Sequence, residues 1–354
     1  MSQPDFDYRD IQKLLYATEF EKEIKGVHAQ LLERAEVLGR RAFEEGDEES
    51  LLEAHRALYV INLARLEVPW SVSALNVDHP FICQLKHTLE SCWDRAERKK
   101  HQEVLSKLPA ASRFREWVTE YVQSHPSNVV HPLFPFLRDT ATFEQMREFI
   151  LQETPLEVFF GDIIAMMMPG VYGRIKMELA KNFWDEVGHA VEPRVHRNLR
   201  FRLMEALQIP SDIHTARIDL LVREELALIN MYLSLSTNRA ALTQLLGVLL
   251  ATETMIPGRF DLQILGWRRH GLGEEAMVYL TEHTTVDVEH AKEWMDSIIL
   301  PLLERKPELM EEITLGVLRR LDIAGAVCDK LYERLKGIET ACIGAFNGPL
   351  PGGK

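Results

Sequence analysis

Apolar residues recur at spacings of three and four along nearly the whole of this 354-residue chain, and almost no stretch alternates strictly between hairpin turns. A side chain returns to the same face after about 3.6 residues in a helix and after two in a strand, so this period specifies helices and leaves no sheet to build. The expected fold class is all-α. Residues 8–124 read as polar amphipathic helices, for example over 20–43 and 50–66, with Glu, Lys and Arg on their outer faces. They carry little recognisable chemistry. His125-Pro-Ser-Asn-Val-Val-His-Pro-Leu-Phe-Pro135 then places three prolines in eleven residues, which interrupts helix and marks a boundary.

Beyond it, Thr142-Phe-Glu-Gln145 has the form of a capping box opening a helical stretch to about Met168, where Pro169-Gly170 stops it and within which Pro155 should kink or split the helix. Further helices are expected over about 174–187, 193–207, 215–234, 239–255, 258–267, 274–300 and 308–338. The division that follows is an N-terminal helical region over 1–130, a main helical domain over 131–345 and a flexible tail over 346–354.

Charge narrows the partners. Asp and Glu number 54 against 41 Lys and Arg, a net charge of −13, which argues against a broad nucleic-acid or anionic-membrane surface and leaves room for a local basic pocket. Cys83, Cys92, Cys328 and Cys342 form no CxxC pair, so neither a disulfide framework nor a zinc ribbon is indicated and a reducing cytoplasm is expected. The start of the chain lacks the basic and apolar blocks of a leader, and the greasiest runs, 163–168 and 245–251, fall short of the roughly 18 residues that span a bilayer.

The sharpest chemical signal is Glu282-His283-Thr-Thr-Val-Asp287-Val-Glu-His290 inside a helical segment. At about 100° per residue, positions 283, 287 and 290 share one narrow stripe, presenting two imidazoles and a carboxylate together. A solvated polar face is the plain alternative for one His and Asp pair; three ligand types in register, flanked by Val286, Val288 and Trp294, favour a transition metal. Upstream, Glu186 ends a helix that stops near Gly188, and Pro193 can open the next, bringing His196 round towards it; Glu186 also forms a Glu-x-x-His pair with His189. Glu153 and Glu253 interrupt strongly apolar runs, where a carboxylate is costly unless a metal, a cation or hydrogen bonds compensate it, and Glu157 lies one turn after Glu153. Carboxylates with imidazoles and no cysteine suit non-heme iron or manganese better than structural zinc, and two metals are plausible. A ferritin-like scheme of Glu153, Glu186 with His189, Glu253 and Asp287 with His290 fits the pattern but leaves His283 and His196 unused.

At Gly173-Arg-Ile-Lys-Met-Glu-Leu-Ala-Lys-Asn-Phe-Trp-Asp-Glu-Val-Gly188 with Val195-His196, Glu253-Thr with Pro257, and His283-x3-Asp287-x2-His290, the chain resembles the heme-oxygenase-like diiron oxidases and oxygenases, also described as iron-containing redox enzymes. The resemblance covers about residues 142–305. It implies a heme-oxygenase-like bundle preceded by an extra N-terminal helical region with a role in dimerisation. The implied iron ligands are Glu186, His196, His283, Asp287 and His290, completed by Glu153 and Glu253, for two iron ions with dioxygen as cosubstrate and an external electron donor. The implied reactions are N-oxygenation of an amine or oxidative carbon–carbon cleavage of an amino acid or fatty acid. Phe160, Lys176 and Arg259 are the candidate substrate contacts. The competing readings are a ferritin-like iron-storage protein without organic substrate, and a helical interaction protein whose acids and histidines only face solvent.

Overall fold

The computed structural model describes residues 6–70 and 76–338, with the side chains of residues 285–288 outside the description. Every regular element among the described residues is helical. The helices used below are α1 (Glu48–Arg65), α2 (Pro80–Leu105), α3 (Phe143–Glu157), α4 (Phe160–Met167), α5 (Gly173–Glu186), α6 (His196–Ala206), α7 (Arg223–Thr237), α8 (Leu242–Arg269), α9 (Val278–Glu293) and α10 (Met310–Gly337).

Local chemistry sets most boundaries. The Thr142 hydroxyl accepts from the Gln145 amide while the Gln145 side chain accepts from the Thr142 amide, the reciprocal capping box that opens α3. Pro155 lies within α3, and the chain breaks at Val158 and Phe159 before α4 resumes. Two expectations are corrected. The helix read over 20–43 is divided at Gly26, whose φ of +85° no helix tolerates. The two helices read over 239–255 and 258–267 are one, α8, which runs through Pro257. Proline removes one amide donor, so the carbonyl of Glu253, four residues earlier, loses its helical partner there while packing on both sides keeps the helix going.

The core is built around α8. It packs along α10 and α9, and two glycines set the first of these crossings: a Cβ on Gly247 would lie 1.8 Å from the Ile313 carbonyl oxygen, and one on Gly316 would lie 1.9 Å from that of Gln244. Backbone therefore meets backbone. By length and apolar composition α8 also has the makings of a membrane span, and here two thirds of its most apolar window is buried against the other helices.

The N-terminal helices join the same continuous apolar cluster, which extends from Phe6 to Leu335. Asn62 on α1 donates to Asn230 on α7 at 3.0 Å, and Asn230 donates onward to the His55 carbonyl at 2.8 Å, a buried chain of amide hydrogen bonds across this contact. On the opposite flank Arg98 on α2 grips both carboxylate oxygens of Glu312, at 2.6 and 2.9 Å.

Candidate metal centre

Four helices bring the candidate ligands together around one buried cavity, which Glu186, Glu253, His283 and His290 line and His196 adjoins through Glu186. Glu186 ends α5, His196 opens α6, Glu253 lies mid-way along α8, and His283 and His290 lie on α9. All five are buried. The ligand atoms of Glu186, His196 and His283 lie within 4.8 Å of one another. The turn between α5 and α6 makes that possible: Gly188 takes φ +61°, His189 and Ala190 also enter the left-handed region, and the chain reverses so that Glu186 and His196 face each other.

Hydrogen bonds orient each ring. His283 directs Nδ1 to the Tyr279 carbonyl at 2.7 Å, one turn back on α9, which fixes Nδ1 as the donor and leaves the Nε2 lone pair available. His196 Nδ1 meets Glu186 Oε1 at 3.0 Å, and its Nε2 is 3.6 Å from Glu282. His290 Nε2 is held by Asp185 at 2.9 Å, and its Nδ1 lies 3.7 Å from Glu253 Oε2. A carboxylate or carbonyl partner on one nitrogen of an imidazole is the usual support of a metal-binding histidine.

The electrostatics are those of carboxylates and imidazoles buried against one another. Burial disfavours the charged form of His196, but Glu186 and Glu282 overcome it and push the imidazole up to about 10. Burial likewise opposes the charge on Glu186, and the charge and hydrogen bond of His196 hold that carboxyl below its usual value. His283 moves the other way: burial, and then the charge on His196, lower it and keep it neutral. Buried carboxylates facing imidazoles form a donor set that fits iron.

The remaining candidates divide. Glu253, His283, His290, Glu186 and Phe160 line the cavity together with Glu157. Glu153 does not; it lines an adjoining chamber, which Glu157 borders as well, so of the two Glu157 stands nearer the ligands. The buried Arg200 guanidinium lies 3.5 Å from Glu153 and Gln263 donates to it at 3.2 Å, but burial outweighs both and pushes this carboxyl up to about 7. Glu157, one turn later, accepts a hydrogen bond from the Tyr279 hydroxyl. His189 is half-exposed, bonded to Asp185 at 2.5 Å and stacked near Trp184, away from the cluster that the ferritin-like scheme required it to join. Asp287 falls within α9, and its side chain lies outside the described residues. Lys176 is exposed above the Tyr172 ring and is not among the residues lining this cavity; Arg259 is buried and lines that adjoining chamber instead.

Sequence reading passed over Asp185 and Tyr279. Asp185 looked like a surface acid, yet it bridges His290 and His189. Tyr279 precedes His283 by four residues, a spacing that puts both on one face and was the available signal.

Comparison with known proteins agrees with this architecture. Residues 147–325 match the family model described as iron-containing redox enzyme, a span that contains every candidate ligand. Over 150 residues the chain is 28% identical to the nitrosourea synthase of Streptomyces achromogenes subsp. streptozoticus, a match covering 42% of this chain and 31% of that relative. The chain thus spans about a third of the length of that curated relative. With half of its length matched, and with an all-helical fold that brings the matched carboxylates and imidazoles into one cavity, the chain belongs to the heme-oxygenase-like family of iron-containing redox enzymes.

Proposed function

We propose that the chain is a diiron oxygenase that uses dioxygen to oxidise a small amine or amino acid. The observation that carries this reading is the convergence of the ligand atoms of Glu186, His196 and His283, from three helices, to within 4.8 Å of one another. One iron would be held by these three residues. The second would draw on Glu253 and His290, with Asp287 and Glu157 completing the set. Bound ferrous iron supplies the electrons that activate dioxygen, and an external donor restores them.

The protein's own groups do the rest. Asp185 keeps the Nε2 proton of His290 engaged, so this ring presents Nδ1 towards Glu253. The Tyr279 carbonyl does the corresponding work for His283, and Arg194 beside Glu282 steadies the carboxylate next to His196. Leu156, Phe160, Ile164 and Ile256 give the cavity an apolar wall that limits water around the metals. A relative named for nitrosourea synthesis supports oxidation at nitrogen over carbon–carbon cleavage.

The test is to load the protein anaerobically with ferrous iron, admit oxygen with a panel of amines, amino acids and medium-chain fatty acids, and analyse the products by mass spectrometry. A nitrogen compound that gains oxygen supports the proposal. Loss of a carbon fragment supports cleavage instead. Iron accumulating well beyond two per chain as ferric mineral, with no compound altered, would replace it with iron storage.

A further inference from the structure

Helix α5 turns Asn182 and Glu186 towards the candidate metal cavity and leaves its other face bare. Met177 and Trp184 on that face are 74% and 50% exposed, and Tyr172, just before the helix, is 79% exposed. At about 100° per residue, Met177 and Trp184 fall in the middle of the bare face, with Arg174 and Lys181 on one side and Lys176 on the other. The acids of the helix lie elsewhere: Glu178 and Glu186 are buried and Asp185 is half-buried. In a chain of net charge −13, the exposed charges of α5 are therefore all positive, and the next exposed acid is Glu192, beyond the helix. Lys181 shares its charge with Glu289 and Glu293 on α9, whereas Arg174 and Lys176 form no ion pair with a described residue.

Behind Trp184 runs a line of contacts to the candidate ligands. Its ring stacks on that of the half-exposed His189, with centroids 6.1 Å apart and planes 16° from parallel. His189 Nε2 meets Asp185 Oδ1 at 2.5 Å, and the other oxygen of the same carboxylate, Oδ2, holds His290 Nε2 at 2.9 Å. Orienting His290 needs Asp185 but has no use for His189. An electron tunnels more readily through hydrogen-bonded contacts than across open gaps, and this line joins an exposed aromatic ring to a buried imidazole of the centre. We propose that the bare face of α5 docks an acidic one-electron carrier protein, with Trp184 and His189 as the point of entry and Asp185 as the link to His290.

The proposal rests on the reading of His290 as an iron ligand, and it names the partner that resets that centre. In each transfer the carrier is oxidised by one electron and one ferric ion is reduced to ferrous; no bond forms or breaks along the route, and both imidazoles keep their protons. An apolar centre with a charged rim is the form of a protein interface, and cations on an otherwise acidic chain draw an acidic partner to this face. A lipid surface or a second copy would cover the face but leave the line from Trp184 to His290 without a role.

Two measurements on the full chain test this. The probes are a plant-type two-iron ferredoxin and a flavodoxin, both acidic, with basic cytochrome c as the charge-reversed control. Calorimetric titration of the metal-free chain with each carrier reads docking: at least one acidic carrier should bind more tightly than cytochrome c, and added salt should loosen it as exposed charges are screened. Replacing both cations, Arg174→Glu with Lys176→Glu, should weaken that binding about tenfold. Stopped-flow mixing of the reduced carrier with the ferric-loaded chain, without oxygen or substrate and followed at the carrier's own absorption, reads entry. Trp184→Leu, which keeps an apolar side chain, and His189→Asn, which suits the left-handed backbone there but is too short to keep the contact, should each at least halve the rate at saturating carrier, with ferrous affinity and helical dichroism as in the parent. No acidic carrier binding more tightly than cytochrome c, binding that the double variant leaves unchanged, or a rate that neither Trp184→Leu nor His189→Asn alters would each overturn the proposal. In the first case, phosphatidylserine vesicle binding or self-association lost in the double variant would give the face to a membrane or to a second copy. A ferrous titration on the same preparation separates the two readings: iron binding without carrier binding removes the docking face and spares the centre, and carrier binding without iron binding supports the face and removes the centre.

Discussion

Replacing Gly188 by alanine should damage the iron site through the backbone alone. The glycine has φ +61°, and an alanine held there costs about 1–2 kcal/mol. Its Cβ would also lie 2.3 Å from the Arg194 carbonyl carbon and 2.5 Å from the Val195 nitrogen, where ordinary contact begins at 3.4 Å, so one side of the turn must move by about 1 Å. Overlap of this kind adds about 1–3 kcal/mol. The displaced segment joins Glu186 to His196, whose side chains meet at 3.0 Å. We expect ferrous affinity to fall about 10- to 100-fold, the range seen when the supports of metal ligands are removed. Gly46→Ala is the control, because Gly46 has φ +71° with nothing within 4 Å of the added Cβ and so incurs only the conformational part. The assay is thermal melting beside anaerobic ferrous titration for both variants. If Gly188→Ala binds iron as tightly as the parent and melts no lower than Gly46→Ala, the close approach at Gly188 is not what positions the two ligands.

Single substitutions should sort the ligands: His196→Ala and His283→Ala lose at least half of the bound iron, while His189→Ala keeps it, as metal analysis of protein with intact helical dichroism will show. Glu157→Gln should lower iron occupancy and Glu153→Gln should not, its effect appearing in the melting temperature because Arg200 then loses its buried counter-charge. Stability should fall with acidity through His55 and His214, whose burial lowers them from 6.5 to about 3 and about 4. The unfolded chain takes up these protons first, so the contribution is fully present above pH 6.5 and shrinks below it, by about 2 kcal/mol per histidine at pH 5. Melting curves from pH 7.5 to 5 check this, and His55→Gln should flatten them.

The all-helical fold was legible because the period of apolar residues runs through most of the chain, and the capping box at Thr142 was legible because its partners are three residues apart. Pro257 misled: the proline rule is local, and tertiary packing on α8 outweighs one missing hydrogen bond. At the site, the pairing of His283 with His290 follows from helix geometry. The choice between Glu153 and Glu157 does not, since it depends on how other helices close round the two carboxylates, which period and spacing do not carry. The same holds for His189 against His196, which a left-handed turn at Gly188 separates, and for Asp185, whose partner His290 is 105 positions away in the chain.

The most direct test of the iron centre is anaerobic titration of the metal-free chain with ferrous ion, read by calorimetry and by metal analysis. Seven carboxylate and imidazole ligands exceed the roughly six positions of one octahedral ion, so saturation should come near two irons per chain, and His283→Ala should remove at least one of them. No saturable ferrous binding, or saturation that His196→Ala and His283→Ala leave unchanged, would contradict the account.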